Sequence, residues 1–72
     1  MKAHSSQITA IESVAGKIVT GGKDKKVAII EAKGGNFKLE KFIDLSGSFP
    51  RSVDFFNGSL LVGLRNGTIV EF

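Results

Sequence analysis

Apolar positions along this chain come in short runs, and each run ends at glycine or at a small polar cluster. Ile8 to Val14 stops at Ala15-Gly16, and Lys17 to Thr20 runs into Gly21-Gly22. Val27 to Ala32 is rich in β-branched residues and ends at Gly34-Gly35. From Phe37 to Leu45 the chain alternates Phe37, Leu39, Lys41, Ile43 and Leu45 against Lys38, Glu40, Phe42 and Asp44, before Ser46-Gly47-Ser48. Arg51 to Phe56 precedes Asn57-Gly58, a dipeptide suited to a type I′ hairpin because both positions tolerate positive φ. Ser59 to Leu64 precedes Asn66-Gly67, and Thr68 to Phe72 follows. Period-two patterns punctuated this often predict strands joined by tight turns, about seven of them, with no helix. A sandwich, a barrel or a propeller would use antiparallel strands at this spacing.

An internal repeat narrows the choice. Moved by 42 residues, the first half lies on the second without a gap. Gly16 falls on Gly58, Gly21 on Gly63, Ile11 on Val53, Glu12 on Asp54 and Val14 on Phe56. Ile18 and Val19 fall on Leu60 and Leu61, Asp24 on Asn66, Val27 on Ile69 and Ile30 on Phe72. A four-stranded unit repeating about every 40–45 residues has the period of propeller blades. The expectation is an all-β chain in which residues 1–45 form one complete blade, strands a to d. Residues 46–72 then form strands a to c of a second, incomplete blade. Val27, Ile29, Leu60 and Leu61 are the expected core.

The residues that carry this repeat also resemble a known family. Val19-Thr20-Gly21-Gly22-Lys23-Asp24-Lys25-Lys26-Val27-Ala28-Ile29-Ile30-Glu31 resembles the central part of a WD repeat, with Thr20 at its hydroxyl position and Asp24 as its turn aspartate. Ile30-Glu31 stands at the Trp-Asp position and Ala3-His4 where a Gly-His pair usually lies. The resemblance implies a hydrogen-bonded network of His4, Thr20 and Asp24 tying the outer loop to the turn, three-membered because Ile30 stands for the tryptophan. A carboxylate withdrawn from water needs donors, and an imidazole supplies one. The second unit departs further: Val62 replaces the hydroxyl, Asn66 the aspartate and Ser46 the histidine, while Phe72 takes the tryptophan place. No such network is expected there. Within the WD-repeat proteins, Gly21-Gly22-Lys23-Asp24, Pro50-Arg51-Ser52-Val53 and Leu61-Val62-Gly63 resemble turns of the echinoderm microtubule-associated-protein-like family. That likeness implies a piece of a larger tandem propeller, cytoplasmic and cytoskeletal, with protein partners that include tubulin.

Charge and composition add exclusions. Seventy-two residues suffice for one small domain, which buries only about 60% of the surface its unfolded chain exposes. With no cysteine there is neither a disulfide staple nor a thiolate metal site. The first seven residues lack the apolar segment of a secretory signal, and no apolar run approaches the ~18 residues of a membrane span. His4 is the sole histidine, without further ligands for a metal or a base-and-nucleophile arrangement. Gly21-Gly22-Lys23 lacks the strand-to-helix context of a phosphate loop. The acidic residues form no acid–base pair, so neither an enzyme nor a cofactor is expected. The net charge of +3 is concentrated around Lys23, Lys25 and Lys26. Nucleic-acid modules interleave such charge with stacking aromatics, which this sequence does not do. Lys23, Lys25, Arg51 and Arg65 are instead candidates for binding a protein partner, because turn and rim positions carry recognition and arginine is favoured at interfaces. Two blades leave apolar faces uncovered and strand edges open, so copies of the chain are expected to associate as a homo-oligomer, and the alternative to a scaffold is a self-assembling structural propeller unit, engineered or excised, with no function of its own.

Overall fold

The structure is a computed structural model that describes residues 1–72. Seven strands follow in chain order: β1 (Ile8–Val14), β2 (Lys17–Gly22), β3 (Lys26–Lys33), β4 (Asn36–Asp44), β5 (Pro50–Phe56), β6 (Ser59–Leu64) and β7 (Ile69–Glu71). They form two antiparallel meanders, a four-stranded sheet β1-β2-β3-β4 and a three-stranded sheet β5-β6-β7. There is no helix, and no helix long and apolar enough to cross a membrane. The all-β reading with seven strands stands, and it is consistent with part of a propeller.

The repeat reaches the backbone. The β1–β2 turn holds Ala15 and Gly16 at φ 45° and 81°, and the β5–β6 turn holds Asn57 and Gly58 at 49° and 80°. Paired positive φ values of this kind define the hairpin turn whose twist matches the strands it joins. The register of β1 against β2 slips between Ile8 and Ala10, and that of β5 against β6 slips between Pro50 and Ser52, at equivalent positions. Lys23 N–H donates to Gln7 O at 2.9 Å, and its counterpart Arg65 N–H to Phe49 O at 3.0 Å. Asp24 Oδ1 accepts from Lys26 N–H at 3.2 Å, and Asn66 Oδ1 from Thr68 N–H at 3.1 Å. Each β2–β3-type turn is thus closed by the side chain of its own Asp or Asn.

The sheets stack with unlike faces together. Val19, Val27 and Leu45 on one face of the first sheet pack against Val53, Leu60, Val62 and Leu64 of the second. The sheets come close at Gly21, where an added Cβ would lie 2.5 Å from Pro50 Cγ. The Thr9 hydroxyl sits there too, between the carbonyls of Gly21 (3.1 Å) and Pro50, and so ties the sheets together. On the other face of the first sheet a smaller cluster of Ala3, Ala28 and Ile30 collects Ile18 and Leu39.

Two sequence expectations are corrected. Leu61 and Ile29 are only partly buried; β6 turns Leu60, Val62 and Leu64 inward, and Leu61 takes the alternate, outer face. In β4 the alternation does not hold across the strand, because the pairing with β3 jumps from Ile29↔Lys41 to Ile30↔Leu39. That bulge sends Leu39 to the Ala28–Ile30 cluster, while Ile43 packs toward the inter-sheet core.

Candidate functional site

Two clusters of polar side chains lie along the edge where the turns β2–β3 and β6–β7 emerge. The first is a clasp. The segment before β1 crosses the first sheet so that His4, 6% exposed, reaches both the β2 strand and the β2–β3 turn. His4 Nδ1 lies 3.0 Å from Asp24 Oδ1 and 3.2 Å from Oδ2, and Nε2 lies 2.7 Å from Thr20 Oγ1. Facing a carboxylate, Nδ1 carries the proton and donates; the Thr20 hydroxyl completes the other side of the ring. Asp24 also accepts from Ser5 N–H at 3.1 Å and from Lys26 N–H. Burial by itself raises the Asp24 carboxyl, but the imidazole bond, the Ser5 N–H, the charge of His4 and the Lys26 N–H together hold it below the ordinary value.

Space for the imidazole comes from Gly22. A Cβ there would stand 2.5 Å from His4 Nδ1 and 2.7 Å from Asp24 Oδ1. In the second unit the equivalent residue is Leu64, which is buried, and the Thr20 position is Val62, fully buried. Apolar side chains occupy the strand where the first unit has its polar clasp, and Asn66 bonds only within its own turn. Phe42 stands edge-on to the imidazole at 6.3 Å, with Lys26 Nζ over the Phe42 ring at 5.4 Å.

The second cluster is cationic. Lys23, Arg51 and Arg65 line one recess with Gln7, Ile8, Thr9 and Phe49. Lys23 Nζ lies 5.8 Å and Arg65 Cζ 5.9 Å from the Phe49 ring centre. Lys25 shares the turn with Lys23 but lies outside this recess. The structure therefore brings His4, Thr20 and Asp24 into one group and Lys23, Arg51 and Arg65 into another. Thr9, Gly22 and Phe49 complete these arrangements, and sequence reasoning passed over them. For Gly22 and Phe49 a signal was present, since the repeat aligns them with Leu64 and Gln7. No group of three or more His, Asp or Glu side chains is placed to hold a metal ion.

Fold and sites together describe two successive units of a stacked β repeat, joined face to back, with turn-borne polar clusters at one edge. The chain is 47% identical over 64 residues to the ciliary WD repeat-containing protein ctxp80 of Euplotoides octocarinatus, an alignment covering 89% of this chain and 8% of that protein. The chain thus spans less than a tenth of the length of the relative it matches, and the similarity together with the all-β architecture fits a WD-repeat fragment. No family model matches the chain, and no solved structure matches it.

Proposed function

We propose that this chain is a non-catalytic stretch of a WD-repeat scaffold whose work is to hold protein partners, and that it is microtubule-associated in a cytoskeletal setting. The observation carrying the scaffold reading is the 42-residue repeat built as two sheets stacked face to back, in a sequence 47% identical to part of a ciliary WD-repeat protein. The blade boundaries follow the same reading, with residues 1–45 as one unit and 46–72 as strands a to c of the next. His4, Thr20 and Asp24 then serve to lock the outer strap to the turn. The microtubule assignment rests on the Gly21-Gly22-Lys23-Asp24 resemblance and on the relative's ciliary name. Co-sedimentation with polymerised tubulin tests it: the chain is expected in the pellet in proportion to polymer, and a chain left wholly in the supernatant overturns the tubulin assignment.

A second reading, self-association of copies, is favoured by residues that share a repeat position but not an environment. Val27 is fully buried, yet its counterpart Ile69 is 74% exposed; Val53 is 8% exposed, yet its counterpart Ile11 is 67% exposed. Each exposed residue lies on the face that its counterpart uses in the inter-sheet contact. On this reading light scattering finds a mass above that of the monomer, which Ile69→Lys reduces; a monomer at every concentration excludes it.

A further inference from the structure

The cationic recess has a cause that also defines its ligand. Lys23 and Arg65 occupy the same repeat position, at the head of equivalent turns in adjacent sheets. Each turn is pinned by its own amide, Lys23 N–H on Gln7 O and Arg65 N–H on Phe49 O. Those bonds set the segments carrying Gln7 and Phe49 beside the turn cations. Arg51 arrives by a different route. It is the residue skipped in the register between Pro50 and Ser52, and a bulge of this kind re-aims a side chain. Three positive groups from three separate elements therefore line one recess, two of them over the Phe49 ring.

Nothing neutralises them. The one acid in the first turn is Asp24, and its carboxylate is committed to His4, Ser5 N–H and Lys26 N–H. In the second turn that position is the neutral Asn66. The two ion pairs in the molecule are His4–Asp24 and Lys17–Glu40, so Lys23, Arg51 and Arg65 have no carboxylate within pairing distance. Like charges held together raise the local potential until an anion relieves it. Lys23 Nζ and Arg65 Cζ lie 5.8 Å and 5.9 Å from the Phe49 ring centre, so they stand no more than about 12 Å apart, and a peptide of no more than about four extended residues at roughly 3.3 Å each spans them.

From this geometry we infer that the Lys23–Arg51–Arg65 recess binds an acidic peptide segment, extended across the two turns with carboxylates on successive same-side residues. The inference deepens the scaffold reading and rests on it, by naming the chemistry of one partner. A peptide is favoured over nucleic acid because Phe49 is the recess's one aromatic and cations stand over it, which leaves no platform for successive bases. Arginine and lysine at the rim of such a contact act on encounter and specificity, and their effect weakens as salt shortens the screening length to about 10 Å at 0.1 M.

The test uses the intact chain and fluorescence anisotropy with a labelled peptide alternating Glu and Gly, its Gln-for-Glu counterpart and an oligothymidylate. The acidic peptide is expected to bind, to weaken with salt and to outcompete the other two. Lys23→Gln, Arg51→Gln and Arg65→Gln combined should weaken it roughly tenfold. The combination Lys33→Gln, Lys38→Gln and Lys41→Gln removes the same charge from exposed sites away from the recess and should change affinity by less than about twofold. Arg65→Gln alone, at an exposed side chain, gives a smaller loss in the same direction should the triple variant unfold. Equal losses from both triple variants, absence of binding, or tighter oligothymidylate binding with the same sensitivity would each overturn the inference. Tubulin co-sedimentation that survives the recess substitutions would leave the microtubule reading standing while the recess is assigned to another partner.

Discussion

Gly22→Ala isolates the clasp from everything else in the fold. Gly22 has no need of a positive φ, so alanine is compatible with its backbone and only the added methyl matters. That methyl would sit 2.5 Å from His4 Nδ1, 2.9 Å from His4 Cγ and 2.7 Å from Asp24 Oδ1. Reaching ordinary contact requires the imidazole to retreat by about 1 Å. The bonds at 2.7 Å to Thr20 and 3.0 Å to Asp24 then pass beyond hydrogen-bonding length. One neutral bond contributes about 0.5–1.5 kcal/mol and one to a charged group about 1.5–3, so the loss is roughly 2–4.5 kcal/mol. A chain of this length has about 4–11 kcal/mol in total. Urea unfolding followed by far-ultraviolet circular dichroism reads the change, and thermal unfolding should fall by about 4–8 °C per kcal/mol. The double variant completes the test: in a His4→Ala background the two clashes with the imidazole are gone and only the Asp24 carboxylate, 2.7 Å away, has to shift, so Gly22→Ala should then cost distinctly less. A penalty that persists undiminished without His4 refutes the reasoning.

Stability in acid follows from Asp24. Its carboxyl is held below the ordinary 3.8, so its contribution is fully present above that value and is lost as pH falls through the lower, folded one. Unfolding midpoints measured across acidic pH should drop on this limb, and Asp24→Asn should flatten it. Leu60→Ala should cost about 2–5 kcal/mol because Leu60 is 6% exposed in the inter-sheet core. Leu61→Ala on the outer face should cost distinctly less, and a reversed order by urea unfolding would contradict the facing of β6.

Much of this was legible in the chain because the repeat is written in residues that a backbone cannot do without. Glycine after Ala15 and Asn57, and Asp24 or Asn66 at the turn, fix hairpins and register with little help from the rest of the fold. Facing was less legible. Leu60-Leu61-Val62 is apolar throughout, so periodicity could not say which residues turn inward; the stacking of the second sheet on Val19 and Val27 decides it. The β4 bulge was hidden for a related reason, since alternation in sequence continues through a residue that the pairing skips. Of the candidate sites, the His4 clasp was implied by the resemblance of Thr20, Asp24 and Ala3-His4 to the positions of a WD repeat. The cationic recess was not, because Arg51 and Phe49 lie far in sequence from Lys23 and only the approach of two sheets brings them together.

The face-to-back stack also has a direction. The surface around Val19 and Val27 meets a different surface, that around Val53 and Val62, and no twofold axis can generate such a contact. Adjoining units joined in this manner are related by a screw or a rotation. The sequence of joins either closes on itself or continues, as the angle of each step dictates. Were copies to join in the same manner, a substitution on one surface would remove half of the valency and leave a unit that could still be received at its opposite side. The polarity of any array continued in the same manner is set by the packing of these two sheets.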